Sequence, residues 1–148
     1  MHSNRTKAAI AACLYLCVGM AWAAPPCTPV VRDGWIRLMP GGMAMLAGFG
    51  HIDNPCGNAA DIVSASSRAF ADTSIHETRI EDGISRMRPV PDLHIEPKAS
   101  AVLAPGGYHL MLMQPTATLK AGDRVTIDFS LRDGRSLSGT FELRPAAP

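Results

Sequence analysis

Beyond Pro26 no stretch of the chain repeats its apolar residues with a helical period, and that absence limits the possible folds more than any other feature. Runs of roughly three to nine residues instead alternate apolar and polar side chains, as strands with one buried face do. This pattern places strands over 30–32, 34–38, 46–53, 60–64, 73–78, 84–90, 101–103, 108–113, 125–131 and 136–143. Between them stand turn-forming groups: Asn54-Pro55-Cys56-Gly57-Asn58, Glu81-Asp82-Gly83, Pro105-Gly106-Gly107, Ala121-Gly122-Asp123 and Asp133-Gly134. Asp82-Gly83 and Asp133-Gly134 each sit between alternating runs, the strongest short-range signal for a hairpin. The expected fold is all-β, a single-domain antiparallel β-sandwich of the cupredoxin-like or immunoglobulin-like kind.

The first residues have the composition of a secretory signal. Arg5 and Lys7 precede an apolar run from Ala8 to Val18, shorter than the roughly 20 residues a spanning helix needs, and Ala21-Trp22-Ala23 suits cleavage after Ala23. The expected division is a signal peptide over 1–23 and a mature domain over 24–148, soluble in the periplasm, with no membrane insertion once the signal is gone. Ile10-Ala11-Ala12-Cys13 resembles a lipobox only loosely, and Cys27 follows Pro25-Pro26 where a lipobox has small apolar residues.

Removing the signal takes Arg5 and Lys7 from the 14 basic residues and none from the 13 acidic ones, so the remainder has a net charge of −1. The basic residues are scattered among acidic ones, which argues against nucleic acid as a partner. Cys13 and Cys17 leave with the signal; Cys27 and Cys56 remain as a pair in an oxidising compartment, for which one disulfide is the economical reading.

Chemistry concentrates in Gly107-Tyr108-His109-Leu110-Met111-Leu112-Met113. Alternation puts His109, Met111 and Met113 on one face and Tyr108, Leu110 and Leu112 on the other. The second face is core. The first carries an imidazole and two thioethers, a poor solvent surface but a suitable donor set for a soft ion. His76 lies on the strand that opens the Asp82-Gly83 hairpin and Met87 on the strand that closes it, so both can reach the same end of a sheet.

These four residues complete the pattern H-x10-M-x21-H-x-M, through which the chain resembles the periplasmic copper chaperones called PCu(A)C. The wording around them agrees: His76-Glu77-Thr78, Glu81-Asp82-Gly83, Met87-Arg88-Pro89-Val90 and Pro105-Gly106-Gly107-Tyr108. The resemblance runs from about Val31 to Leu143. It implies a cupredoxin-like β-sandwich that is not an enzyme and binds one Cu(I) through His76, Met87, His109 and Met111. It further implies delivery of that copper for assembly of the Cu(A) centre of cytochrome c oxidase. The implied partners are the Cu(A) subunit and a Sco-type thiol protein, met by a monomer.

Thioether sulfur is soft and needs no deprotonation, so such a site avoids the oxidation that a thiolate risks outside the cytoplasm. Each of the four is expected to be a ligand and not a core contact. Met113 is expected to pack, with an auxiliary ligand or lid as the alternative, Met39, Met43 and Met45 flank a Pro40-Gly41-Gly42 loop that could hold a second, weaker copper, and His51 and His94 match no pattern position. A blue-copper carrier would need a cysteine beside its histidines, and none is near His76 or His109 in sequence. No nucleophile–base grouping, G-x-S-x-G or H-E-x-x-H is present. Copper storage or resistance, and a metal-free immunoglobulin-like adhesion or assembly module, remain as alternatives.

Intact-mass measurement of the exported protein should give a chain beginning near Ala24; a mass that still includes residues 1–23 would contradict the signal-peptide reading.

Overall fold

The computed structural model describes residues 26–146, so the expected signal peptide and its cleavage site lie outside the described residues. Ten strands make up the regular structure: β1 (Val30–Leu38), β2 (Met45–Asp53), β3 (Ala60–Ser66), β4 (Phe70–Glu81), β5 (Ile84–Pro89), β6 (Leu93–Ile95), β7 (Ser100–Leu103), β8 (Tyr108–Pro115), β9 (Arg124–Leu131) and β10 (Ser136–Pro145). Their hydrogen bonding runs unbroken through one sheet in the order β5-β4-β8-β7-β2-β1-β10-β9-β3-β6. The all-β expectation holds. Among the described residues no helix is long and apolar enough to cross a membrane.

Alternation explains where the core forms. In β9 every second residue, Val125, Ile127, Phe129 and Leu131, is buried, and β10 buries Leu137, Phe141 and Leu143 in the same rhythm. These meet Ile36 of β1, Ile52 of β2, Ile62 of β3 and Leu110 and Leu112 of β8 in one cluster, so the sheet is folded over on itself. Each such side chain contributes about 1.5–3 kcal/mol on leaving water.

Three features depart from the pattern reading. The runs over 30–32 and 34–38 are one strand, β1, interrupted by a bulge where the register with β2 shifts between Arg32 and Trp35. Asp33 there adopts a φ of 52°, and Gly34 lies so close to β10 that a Cβ would stand 2.7 Å from the Thr140 carbonyl oxygen. Strand β6 is additional: Leu93-His94-Ile95 alternates buried, exposed, buried, but three residues are too few to show a period. Finally, β1 runs parallel to β10 and β7 to β8, so the sheet is not wholly antiparallel. Nearly the whole chain separates β1 from β10, and no local signal can report such a pairing.

Hairpin chemistry is as expected at β4–β5, where Asp82 and Gly83 have φ values of 53° and 76°, the two positive values of the tight turn that matches strand twist. The short strand β7 pairs with β2 at Gly50–Asp53, whereas β8 pairs with β2 at Met45–Gly48. Because β7 ends early, β8 sits directly between β4 and β2.

Cys27 and Cys56 form a disulfide with their Cα atoms 5.6 Å apart. Beside it Asn54, 1% exposed, donates from Nδ2 to the carbonyls of Asn58, Ile95 and Glu96 and accepts from the Cys56 amide. The loop is thereby tied to β6. His94 on β6 faces Asp61 of β3, its Nδ1 2.6 Å from the carboxylate, with Glu96 at 3.3 Å from Nε2. These carboxylates, Asp61 first, raise the His94 pKa above the ordinary 6.5. Arg132 also reaches Asp61, at 3.8 Å.

Two measurements follow. Replacing both Cys27 and Cys56 with Ser removes a cross-link over about 29 residues and should lower stability in urea unfolding by on the order of 3 kcal/mol; an unchanged midpoint would show that the bond constrains nothing. His94 gains its partner as the cation, so its contribution is fully present below the unfolded pKa and is lost as pH rises through the raised folded value. His94→Gln should therefore be less stable than the parent at about pH 5 and equal to it at about pH 9.

Candidate metal centre

The register of β4 against β8 sets His76 directly opposite His109. Core burial dictates it: Ile75 pairs with Leu110 and Thr73 with Leu112, all at or below 6% exposure, so the intervening residues must take the other face. On that face Ser74 stands opposite Met111 and Asp72 opposite Met113. Across β8 the row continues, with Met111 opposite Ala47 and Met113 opposite Met45 of β2. On the hairpin Met87 is opposite Thr78, two residues from His76.

The two imidazole rings have centroids 6.2 Å apart and planes tilted by 37°. His109 is 6% exposed, and its Nδ1 lies 3.0 Å from the Gly107 carbonyl oxygen. An acceptor at Nδ1 puts the proton there and leaves Nε2 with a lone pair for a metal, the usual way a ligating histidine is oriented. His76 is half-buried, with Nε2 3.1 Å from the Ser74 hydroxyl, a group that can donate or accept. Burial first, then the neighbouring His109, lowers the His76 pKa, against an opposing pull from Asp72. The imidazole is thus neutral near pH 7, the form that can ligate.

Met87, His109 and Met111 line one cavity of about 180 Å³. His76 is outside that lining and borders it through His109. The small Ala47 opposite Met111 forms part of the wall and leaves the thioether room. The β4–β5 hairpin continues past the last β4–β8 pair, Glu77 with Tyr108, so Met87 stands on a two-stranded overhang and is 51% exposed. Among the described residues no group of three or more His, Cys, Asp or Glu could hold a metal ion. The donors that line the cavity are imidazole nitrogen and thioether sulfur, a set that selects soft ions over hard ones.

Met39, Met43 and Met45 line the same cavity, closer to the four than a separate loop site would be. Met113 lies on this face beside Met45 and is not part of the buried cluster, contrary to the packing expectation. Pattern reading also passed over Ser74, two residues before His76 and so on the same face of β4, and the Gly107 carbonyl just before β8.

Comparison with known proteins gives one family and one fold. The family model described as "Putative lipoprotein LpqE-like" matches residues 30–143. "Putative lipoprotein Lxx21020" of Leifsonia xyli subsp. xyli is 33% identical over 105 residues, which are 70% of this chain and 62% of that protein, so the match spans less than two thirds of the relative's length. Among solved structures, the apo PCuAC domain from PmoF1 superposes with a TM-score of 0.64 at 17% identity, covering 78% of this chain and 92% of that one. The solution structure of CuI-DR1885 from Deinococcus radiodurans gives 0.60 at 25% identity, covering 84% and 81%. The cupredoxin-like architecture expected from the sequence is the fold these domains share with this chain.

Met87 is exposed, whereas His109 is buried and hydrogen-bonded. His109→Ala should therefore lower stability by about 0.5–1.5 kcal/mol, since it removes the hydrogen bond from Nδ1 to the Gly107 carbonyl, which keeps the Thr78 amide as a donor. Met87→Ala, at an exposed position, should change it by less than about 0.5 kcal/mol. Urea unfolding of the two variants without metal compares them.

Proposed function

The chain belongs to the LpqE-like family, and from that premise we propose that it is an exported copper chaperone holding one Cu(I) through His76, Met87, His109 and Met111. The observation that carries this reading is the shared face: two imidazoles in direct register, with a thioether two residues along one strand and another across the hairpin. Support comes also from the fold shared with a structure named for its Cu(I), at 25% identity, and with the PCuAC domains. Lipoprotein appears in the descriptions of both the family and the relative, which supports export to the cell envelope. Cys27 is not available to carry a lipid, because its sulfur is bonded to Cys56.

The geometry suggests how the ion enters and leaves. His109 is fixed by its hydrogen bond and by burial, so its Nε2 is the anchoring donor. Met87 is the exposed donor on the overhang, where a thioether can let go without disturbing the core. Cu(I) has a filled d shell and imposes little geometry, so an acceptor's ligands can replace Met87 first and the buried imidazole last. Neutral thioethers exchange without proton transfer. The acceptor in this proposal is the Cu(A) subunit of cytochrome c oxidase, with a Sco-type thiol protein as the accompanying partner.

Competition titration against a Cu(I) chelator should show binding of one tightly held ion. Each of His76→Ala, Met87→Ala, His109→Ala and Met111→Ala should weaken it at least about tenfold, roughly 1.4 kcal/mol. X-ray absorption should find sulfur and nitrogen neighbours. An oxygen-only shell, or a Met87→Ala variant that binds as tightly as the parent, defeats the assignment; failure to load an apo Cu(A) fragment defeats delivery while leaving the site intact.

A further inference from the structure

The methionines are distributed in a way the four-ligand site does not use. The described residues hold Met39, Met43, Met45, Met87, Met111 and Met113, and none belongs to the buried core. Methionine is ordinarily a core-filling residue. Here the core is built from Ile, Leu, Val, Phe and Ala, and the thioethers collect on one side of the sheet: five line the same cavity and Met113 pairs with Met45 beside it. Met39, Met43 and Met45 are 38%, 46% and 40% exposed, so these residues are open to solvent.

The loop between β1 and β2 is shaped to bring them together. Met39 ends the alternating row of Trp35 and Arg37 and lines a second cavity with both. After Pro40, Gly41 and Gly42 take φ values of 91° and 67°, two consecutive left-handed positions that turn the chain back. The return is pinned where the Gln114 amide donates to the Ala44 carbonyl at 2.6 Å, which sets Met45 opposite Met113. The loop and the first residue of β2 bring three thioethers to a cavity that His109 and Met111 also line.

We propose that Met39, Met43 and Met45 form a second, all-thioether station for Cu(I), which receives the ion at the surface and passes it to the inner residues. The inference rests on the copper reading above for the identity of the cargo. Three neutral sulfur donors select a soft monovalent ion and hold it less firmly than a set that includes imidazole nitrogen. Flexible, exposed side chains exchange ligands readily. Arg37 lines the same cavity, but its guanidinium is held over the Phe49 and Trp35 rings, 5.1 and 5.8 Å from their centroids, so its charge has a seat of its own beside the arriving cation.

The test uses the protein beginning at Ala24, labelled with carbon-13 at the methionine methyl groups and titrated with Ag(I), a redox-inert soft ion, and then with chelator-buffered Cu(I). The parent should take two equivalents: the first shifting the Met87 and Met111 methyls, the second those of Met39, Met43 and Met45. The volume-conserving variant Met39→Leu/Met43→Leu/Met45→Leu should keep the first equivalent, lose the second and load more slowly from the chelator. His109→Ala should weaken the first and keep the second. A parent that binds one equivalent without moving the loop methyls overturns the outer station and leaves the chaperone reading standing. A triple variant that also loses the first equivalent overturns it too, since the loop sulfurs would then belong to the inner site. Binding of neither ion by the parent overturns both readings together.

Discussion

The pairing of β4 with β8 is the constraint on which the rest of the site depends. Ile75, Leu110 and Leu112 must be buried, and because side chains alternate along a strand, their burial leaves His76, His109 and Met111 only the opposite face. A slip of one residue would expose the core leucines and bury the donors, an exchange that costs several apolar side chains at once. The donor geometry is thus held by the hydrophobic core and needs no ion to form it. The same register opposes His109 to His76 and Met111 to Ser74, so each donor faces a polar or small neighbour that does not crowd it.

Around this frame the structure divides rigid from adaptable donors. His109 is buried and tied to its own strand's entry through the Gly107 carbonyl, whereas Met87 stands on a hairpin overhang that β8 no longer supports. Such a gradient suits the proposed carriage and release of an ion, in which the anchored imidazole preserves the geometry while the exposed thioether opens. Among the described residues methionine is absent from the core, which makes the same point about composition. A flexible thioether costs little as a gap-filler, so its exclusion from the interior and its collection around one cavity associate the residue with sulfur chemistry and not with packing.

Much of this was legible in the order of residues. The β4–β5 turn follows from Asp82-Gly83, whose positive φ values suit the twist of the strands it joins. The face shared by His109, Met111 and Met113 follows from period-2 alternation. The bonded pair Cys27 and Cys56 follows from counting cysteines once the expected signal peptide is set aside. Other features left no local trace. Strand β6 is too short to show a period, and the bulge at Asp33-Gly34 is set by the approach of Thr140 from the far end of the chain. The parallel pairing of β1 with β10 joins segments about a hundred residues apart, beyond any signal from neighbouring residues.

By itself the sequence determined which chemical groups are available and which face of each strand they take, because alternation and turn preference are properties of neighbouring residues. The number of positions between His76, Met87 and His109 carries no distance of its own. Only the tertiary structure decided that β7 ends early enough for β8 to lie against β2, that His109 is buried while Met87 is exposed, and that the β1–β2 loop and the start of β2 bring three further methionines to the same cavity. Those outcomes depend on contacts between strands far apart in the chain, where the competition among buried surface, register and hydrogen bonding is settled for the molecule as a whole.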